Sequence, residues 1–469
     1  MPSTLFEKVW RRHVVADLGE RFTLLHVDRH VVLDFNGNAF TRLAQRGLPV
    51  RNPELTFATP DHSVSTDPRR SDRAQNGNPH VVALRKDTSH FGVKLFDVGE
   101  AGHGIVHVMA PEMGIALPGL TVAIGDSHAC THGALGALAW GVGQGDLVHI
   151  LATQTCVQHR PRTMRVAFDG TLPPGTSAKD LILFLIGRLG VAAGNGYAAE
   201  YAGPAVRALP MEARFTLCNM SVEWGARYGM IAPDDTVFGW LKDRPYAPKG
   251  AQWEAAVADW RTLRSDDGAV FDQQVVLDVS QLAPQVTWGN SLDMVLAVGD
   301  TLPDPAAEPD AARRANLEAS MLYMGLQAGE PIEGLPIDRV FIGSCTNSRI
   351  SDLRAAATVV RGHHVAPRVQ AWVVPGSELV RRQAEAEGLD QVFIDAGFDW
   401  RSPGCSMCLG ANGDTLARGE RAVSTANRSF AGRQGPGSRT HIAGPVLAAA
   451  SALAGYIADP RSIMASELA

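Results

Sequence analysis

The chain has 469 residues, of which 45% are apolar and 20% are charged, a balance typical of a globular protein rather than a disordered or membrane-spanning one. Its formal net charge of −6 gives no basic field that would favour nucleic acid or an anionic membrane as the main partner. The length exceeds the roughly 250–300 residues at which a single core stops growing, so several domains are expected.

The first predicted element is a helix that begins after Thr4, because residues 4–7 (Thr-Leu-Phe-Glu) form a capping-box pattern. No apolar run of signal-peptide length accompanies it. The six cysteines are too few for a disulfide scaffold, so we expect free, catalytic or metal-bound thiols in a reducing cytoplasm. Residues 443–458 are weakly polar but shorter than the roughly 20 residues of a membrane span, which favours a packed helix.

Three apolar segments rich in β-branched residues end abruptly in polar or glycine-containing loops. They cover residues 120–125, 340–343 and 369–374. Helical patterns at residues 351–361 and 377–387 alternate with them, which predicts an α/β fold with parallel strands. Ligands bind such sheets at the carboxyl ends of the strands, so the site is expected on the loops that follow these segments.

Changes in composition divide the chain into three predicted domains. Residues 300–313 contain three prolines and several acidic residues, which favours a linker on the surface. A softer boundary is expected soon after residue 160. We therefore predict domains at residues 1–162, 163–305 and 306–469.

Three cysteines form a candidate metal site. Cys405 and Cys408 are in a Cys-x-x-Cys pattern, and Cys345 lies upstream. The pattern alone also occurs at zinc sites and in redox pairs. A structural zinc site usually has four ligands, and the nearest candidates, His363 and His364, are predicted to lie in a solvated loop. Three cysteines without an obvious fourth suit an iron–sulfur cubane with one open iron.

The segments around these cysteines resemble the aconitase superfamily. Residues 343–348 (Gly-Ser-Cys-Thr-Asn-Ser) and 403–409 (Pro-Gly-Cys-Ser-Met-Cys-Leu) are similar to its cluster-binding signature, and the second is most similar to that of isopropylmalate isomerase large subunits. The resemblance extends from residue 5 to about residue 459. Further matching segments are residues 25–30, 57–62, 125–128, 151–155, 218–220, 284–289 and 432–435.

The resemblance implies an aconitase-like fold of three α/β/α layered domains around an iron–sulfur cluster. It implies a 4Fe-4S cluster on Cys345, Cys405 and Cys408, and a hydro-lyase reaction on a small 2-hydroxy dicarboxylate. The implied reaction converts 2-isopropylmalate into 3-isopropylmalate in leucine biosynthesis. The alternative is a paralogue that acts on methylmalate, homoaconitate or another 2-alkylmalate.

Histidines next to carboxylates are candidates for proton transfer, because dehydration needs an acid for the departing oxygen and histidine titrates near neutral pH. Asp61 and His62 form one such pair, Asp126 and His128 form another, and His107 adds a third imidazole. By resemblance, these side chains lie around the substrate hydroxyl and the cluster. The implied catalytic residues are Asp61, His62, His107, Asp126, His128 and Glu223.

Substrate carboxylates call for arginine, whose planar fork matches a carboxylate. Arg428 and Arg433 match the carboxylate-binding arginines of the family, and nearby glycines would let the backbone approach a ligand. Glu223 follows Asn219 by four residues, so both are predicted to lie on one face of a helix. The implied substrate-binding residues are Asn38, Ser127, Asn219, Arg428 and Arg433.

Several positions depart from the commonest pattern of the isomerases. Asn38 stands where they usually carry a glutamine, so the amide is one methylene shorter. Further differences lie at residues 129–130, 144–145 and 410–412 and at Ser429. These departures keep the alternative substrates open.

A partner chain is also implied. Removal of the carbon-bound proton needs a base, which in the family is a serine within a Ser-Ser-Arg segment on a fourth, swivelling domain. No Ser-Ser-Arg occurs in this sequence, and the 28 residues after His441 are too few for another domain. The resemblance therefore implies a separate small subunit. Two other classes stay open, a zinc-stabilised structural protein and an RNA-binding apo form, although the net charge argues against the latter.

Overall fold

The structure is a computed structural model that describes residues 2–70 and 77–466. The chain folds into two compact units, each assembled from several stretches of sequence. Of the described residues, the first unit contains 2–64, 77–171 and 193–278, and the second contains 65–70, 172–192 and 279–466. The three domain boundaries predicted from the sequence stay a prediction.

The strands of the described residues are mostly short and buried. They are β1 (Val14–Gly19), β2 (Phe22–His26), β3 (Arg29–Leu33), β4 (Thr56–Thr59), β5 (Lys94–Leu95), β6 (Thr121–Ile124), β7 (Leu138–Gly141), β8 (Thr155–His159), β9 (Arg162–Asp169), β10 (Tyr197–Ala202), β11 (Tyr228–Met230), β12 (Gln273–Asp278), β13 (Gln285–Thr287), β14 (Val295–Ala297), β15 (Arg339–Ile342), β16 (Gln370–Val373), β17 (Asp399–Trp400), β18 (Arg421–Ser424) and β19 (Arg439–Ile442).

Helices connect most of these strands. They are α1 (Leu5–His13), α2 (Gly37–Gln45), α3 (Pro79–Phe91), α4 (Val106–Glu112), α5 (Gln144–Thr153), α6 (Ala178–Leu189), α7 (Pro204–Ala208), α8 (Met211–Asn219), α9 (Asp235–Leu241), α10 (Ala251–Trp260), α11 (Ala311–Met324), α12 (Ile350–Val360), α13 (Glu378–Ala386), α14 (Leu389–Asp395), α15 (Pro445–Ala454) and α16 (Pro460–Ser466).

The first unit contains two parallel sheets and one antiparallel sheet. One parallel sheet has the order β5-β4-β3-β6-β7, and the other has the order β11-β10-β9-β12. Every residue of β4 and β6 is buried, as expected for strands covered on both faces of a sheet. The antiparallel sheet has the order β1-β2-β8.

The second unit contains a five-stranded parallel sheet with the order β17-β16-β15-β18-β19 and an antiparallel pair, β13 and β14. Helices α12 and α15 belong to the same unit and contain apolar residues that are fully buried, among them Leu353 and Ala448. This arrangement of parallel strands with connecting helices confirms the α/β prediction.

The elements predicted individually are also present. Strands β6 and β16 lie within two of the predicted segments, and β15 overlaps the third but begins one residue earlier, at Arg339. Helices α12 and α13 coincide with the two predicted helices to within one residue at each end. Thr4 caps α1 by accepting from the Glu7 amide at 3.2 Å, and the Glu7 side chain accepts from the Thr4 amide at 3.0 Å. Among the described residues, no helix combines the length and the apolar character needed to cross a bilayer.

Candidate active site

The first unit gathers histidines and carboxylates at one end of its five-stranded sheet. Asp61 and His62 follow β4, and Asp126 follows the next-but-one strand, β6. His107 lies in α4, and His128 lies in the 3-10 segment that Asp126 caps by accepting from the His128 amide at 2.8 Å. Because parallel strands end at the same edge, loops distant in sequence meet there. We call these residues, together with Glu223, the histidine cluster.

Asp126 is the centre of the histidine cluster. Its Oδ1 lies 2.7 Å from His107 Nε2, and its Oδ2 lies 3.4 Å from His62 Nε2. The other ring nitrogen of His62, Nδ1, lies 2.5 Å from Asp61 Oδ1. Asp61 is fully buried and also accepts from the Val106 amide at 3.0 Å, which fixes its carboxylate. Two carboxylates therefore hold His62 from both sides.

His128 is held by a separate carboxylate. Its Nε2 lies 2.8 Å from Glu223 Oε1, and its Nδ1 lies 3.2 Å from the hydroxyl of Ser127. Glu223 lies in the 3-10 turn after α8, and Asn219, the last residue of α8, donates to Thr131 Oγ1 at 2.8 Å. Asn219 and Glu223 thus both contact the 3-10 segment that carries His128, but they do not share a helix face as predicted, because α8 ends at Asn219.

The carboxylates set the charges of the imidazoles. Burial lowers the pKa of His128, but hydrogen bonds with Asp126 and Glu223 outweigh it and raise that pKa to about 9. Burial likewise lowers the pKa of His62, yet the charges and hydrogen bonds of its two carboxylates raise it well above the usual value. The pKa of His107 is lowered, mainly by burial. The histidine cluster therefore contains both protonated and neutral imidazoles near neutral pH.

We expect Glu223→Gln to lower the pKa of His128, because the amide keeps a hydrogen-bond acceptor but removes the negative charge. The stability contributed by the raised pKa is complete below 6.5, the usual value for histidine, and is lost as the pH rises through about 9. The free energy of unfolding of the variant should therefore differ from wild type most near about pH 6 and little near about pH 10.

Chemical denaturation across this pH range measures the difference, and a histidine NMR titration measures the pKa itself. The exposed Glu254→Gln variant is the control for loss of a surface charge. A stability difference that stays constant between acid and alkaline pH would contradict the ionic role assigned to Glu223.

The second unit gathers the three predicted cysteines, which are all buried, and we call them the cysteine site. Cys345 follows β15, and the Cys408 amide donates to the Cys405 carbonyl at 3.0 Å within one 3-10 turn. Asn427, which follows β18, joins two of them. Its Nδ2 lies 3.2 Å from Cys345 Sγ, and its Oδ1 lies 3.4 Å from Cys408 Sγ.

The serines next to two of these cysteines have strained backbones. Ser344 and Ser406 have φ angles of 73° and 48°, in the left-handed region that side chains rarely adopt. Ser344 Oγ donates to Cys408 Sγ at 3.4 Å, and Ser406 Oγ donates to Asp414 at 2.8 Å. Asp414 also accepts from Arg401 at 3.0 Å. These hydrogen bonds offset the cost of the conformation, which is of order 1–3 kcal/mol per residue, and fix the cysteine loops.

The donor set of the cysteine site fits an iron–sulfur cluster. Thiolates are the usual protein ligands of such clusters, and a three-thiolate set leaves one iron without a protein ligand. The other cysteines, Cys130, Cys156 and Cys218, lie in the first unit and are buried, as predicted. Burial raises the pKa of Cys130 to about 12, so this thiol stays protonated. His363 and His364 are exposed, which confirms that they lie in a solvated loop.

The loop after β18 carries both predicted arginines. Arg433 Nε donates to the Cys408 carbonyl at 2.9 Å, and its guanidinium carbon lies 5.4 Å from the centre of the Phe430 ring. Arg428 is half-buried in the same loop. The structure thus brings Arg433 to the cysteine site, while the binding of substrate by either arginine stays a prediction.

Asn38 has a different position from the other predicted residues. It is exposed on α2, and within the described part of the chain no hydrogen bond joins it to the histidine cluster. The buried amide of this segment is Asn36, which accepts from the Leu33 amide at 2.8 Å and donates to the Gly125 carbonyl at 3.3 Å. Asn36 thereby fixes the backbone just before Asp126.

Sequence reasoning did not single out Asn36, nor two other residues in contact with predicted ones. His132 is fully buried, with its Nε2 3.3 Å from His107 Nδ1. Asn427 stands directly before Arg428, one of the arginines that match the family pattern, which is a signal that could have identified it. His132 lies four residues after His128, and this helical spacing alone carries little information.

Comparison with known proteins gives a match over nearly the whole chain. The family model of the Aconitase family (aconitate hydratase) matches residues 7–455. The chain is 58% identical over 461 residues to a protein of Bradyrhizobium diazoefficiens named 3-isopropylmalate dehydratase large subunit 1, and the alignment covers 98% of this chain and 97% of that protein. A solved structure, aconitase X of Thermococcus kodakaraensis in its holo-form, has a TM-score of 0.45 and 11% identity, covering 94% of this chain and 89% of that chain.

Proposed function

Because the chain belongs to the aconitase family, a family of hydro-lyases, we propose that it is the large subunit of a 3-isopropylmalate dehydratase. Such an enzyme converts 2-isopropylmalate into 3-isopropylmalate by removing and re-adding water, a step of leucine biosynthesis. The observation that carries the proposal is the 58% identity to the Bradyrhizobium protein over nearly the full length of both chains. The parallel α/β sheets of both units agree with the aconitase-like fold.

We propose that Cys345, Cys405 and Cys408 hold a 4Fe-4S cluster. When bound, a cluster with one iron free of protein ligands supplies a Lewis acid that polarises the carbon–oxygen bond of the substrate. The buried thiols, with Asn427 beside two of them, support this assignment. Free thiols of this kind suit the reducing cytoplasm predicted from the cysteine content.

We propose that the histidine cluster moves the protons of the reaction. His62 and His128 have raised pKa values, so each can donate a proton to a departing hydroxyl near neutral pH. Asp126 contacts His62 and His107, and its carboxylate keeps a fixed distance between them. Glu223 holds His128 in one orientation. The same groups can return a proton when water is added back.

We propose that the substrate carboxylates bind the arginines of the loop after β18, by the match of Arg428 and Arg433 to the family pattern. Arg433 is anchored by the Cys408 carbonyl, which fixes the direction of its guanidinium. Ser127, Asn219 and Asn38 complete the proposed contacts to substrate. Of these three residues, Asn38 is exposed on α2.

We propose that this chain works with a separate small subunit, as the printed name of the Bradyrhizobium relative implies for that protein. The substrate is a small 2-hydroxy dicarboxylate, and no role is assigned to nucleic acid or a membrane. Methylmalate, homoaconitate or another 2-alkylmalate remains the alternative substrate, because of the departures at Asn38 and residues 410–412.

A substrate panel tests the proposed activity. We expect the anaerobically reconstituted chain, mixed with its small subunit, to have the highest kcat/KM for 2-isopropylmalate among citrate, homocitrate, 2-methylmalate and 2-isopropylmalate. The side chain of 2-methylmalate is two carbons smaller, and one missing methylene in an apolar pocket already lowers kcat/KM by about 10–200-fold. Citrate and homocitrate would place a charged carboxylate in that pocket, which is costly. Faster turnover of another member of the panel would leave the hydro-lyase class intact and remove the named substrate.

A further inference from the structure

Lys179 is a buried lysine to which the proposed reaction assigns no role. It lies at the start of α6 in the second unit, and its side chain is 0% exposed. Its Nζ donates to Asn347 Oδ1 at 3.2 Å, to the Thr425 carbonyl at 2.9 Å and to the Ala426 carbonyl at 2.8 Å. Lysine is almost never fully buried unless its charge is paired or fully hydrogen-bonded, so the burial of Lys179 needs an explanation.

The three partners of Lys179 select its charged form. The two carbonyls can only accept hydrogen bonds. Asn347 is oriented by Asp352, whose Oδ1 accepts from Asn347 Nδ2 at 2.9 Å, so the oxygen of the amide points to the lysine. Three acceptors require three N–H groups, which an ammonium has and a neutral amine lacks. Burial lowers the pKa of Lys179 to about 7, while the charges of Asp352, Cys408 and Cys345 act in the opposite direction.

The ammonium connects two loops of the cysteine site. Asn347 lies two residues after Cys345, in the loop that follows β15. The two carbonyls belong to the residues directly before Asn427, whose side chain contacts the thiols of Cys345 and Cys408. Lys179 therefore joins the loop of one cysteine to the loop whose asparagine spans two of them.

Hydrogen bonds at the N-terminus of α6 fix the position of Lys179. Ser177 and Asp180 form a capping box, in which the Ser177 amide donates to Asp180 at 2.7 Å. The other oxygen of Asp180 accepts from the Gln285 amide at 2.7 Å, which ties the start of α6 to β13. The first turn of the helix is thus fixed independently of the cysteine loops, so the ammonium can position them.

We propose that Lys179 is a positioning residue of the cysteine site, which holds the loops of Cys345 and Asn427 together through three hydrogen bonds and, as the ammonium that these acceptors favour, supplies positive charge beside the thiolates. The inference rests on the proposed function, since it concerns the cluster that these thiolates would bind. Loss of an outer partner of a metal site typically costs about 10–100-fold in affinity. A nearby positive charge also favours the reduced, more negative form of a cluster and raises its reduction potential.

Two variants of the full chain separate charge from shape. Lys179→Gln keeps N–H donors without the charge, and Lys179→Met keeps the length without either. The exposed Lys249→Gln variant is the matched control. After anaerobic reconstitution, we would measure circular dichroism, iron and sulfide per chain, the rate of iron loss to a chelator, and the midpoint potential by EPR-monitored titration.

We expect both Lys179 variants to lose iron about 10–100-fold faster than wild type and to have a lower midpoint potential, with Lys249→Gln unchanged. A folded Lys179→Gln protein with the iron-loss rate and potential of wild type would overturn the inference. Failure of this variant to fold would also overturn it, because the lysine would then serve folding rather than the cysteine site. If instead wild type takes up no iron, the proposed function itself fails, and the inference fails with it.

Discussion

Serine at Cys405 should abolish bound iron in the anaerobically reconstituted chain, and with it all dehydratase activity. The thiolate is the metal ligand, and a serine hydroxyl stays protonated at neutral pH, so the site would keep only Cys345 and Cys408. Cys405 lies in a strained turn that a hydrogen bond of Ser406 fixes, so the backbone that carries this thiol is held in place. Iron and sulfide analysis together with visible absorption measures the loss.

The remaining cysteines supply matched controls for this experiment. Cys130, Cys156 and Cys218 are buried in the first unit, and serine at any of them should leave iron uptake unchanged. Full iron retention in Cys405→Ser would remove this residue from the ligand set. Stoichiometric zinc in wild type, without the absorption of an iron–sulfur cluster, would instead favour the structural zinc hypothesis.

Strands and helices could be predicted where the sequence pattern of a short segment alone determines its structure. Strands β6 and β15 are buried along their whole length, as parallel strands covered on both faces are, so their apolar residues alone predict them. Strand β16 is only partly buried, but its apolar residues gave the same prediction. The helix after Thr4 was predictable because its capping box involves residues only three positions apart. Such features need no knowledge of the rest of the chain.

The contacts of the candidate site depend on tertiary structure and could not be predicted in this way. Asp126 accepts hydrogen bonds from imidazoles that lie 64 and 19 positions earlier in the sequence, and only the sheet brings their loops together. Likewise, no sequence pattern distinguishes Lys179 from an exposed helical lysine, and only the structure shows that it is fully buried. The resemblance implied Asn38 as a substrate-binding residue, which stays a prediction, but it gave no sign that the neighbouring Asn36 is the buried amide of this segment.

The loop that carries Arg428 and Arg433, the arginines proposed to bind substrate, also presents an exposed aromatic ring. Phe430 is 51% exposed and lies beside the guanidinium of Arg433. A large exposed aromatic ring is a common anchor of protein interfaces. We infer that this loop contributes to the surface on which the small subunit docks, and that docking excludes water from the bound substrate.

Purified, iron-loaded chain should show no dehydratase activity above background until the small subunit is added. Isomerisation needs a base that removes the carbon-bound proton, and by family resemblance that base is a serine in a Ser-Ser-Arg segment, which does not occur in this sequence. Activity should therefore rise with small-subunit concentration and reach a plateau, and Phe430→Ala should shift the half-maximal concentration upward with little change in bound iron. Small subunit in which that serine is replaced by alanine is the control, since it should dock without restoring turnover. Full turnover by this chain alone would refute the two-subunit proposal and require a base among its own residues.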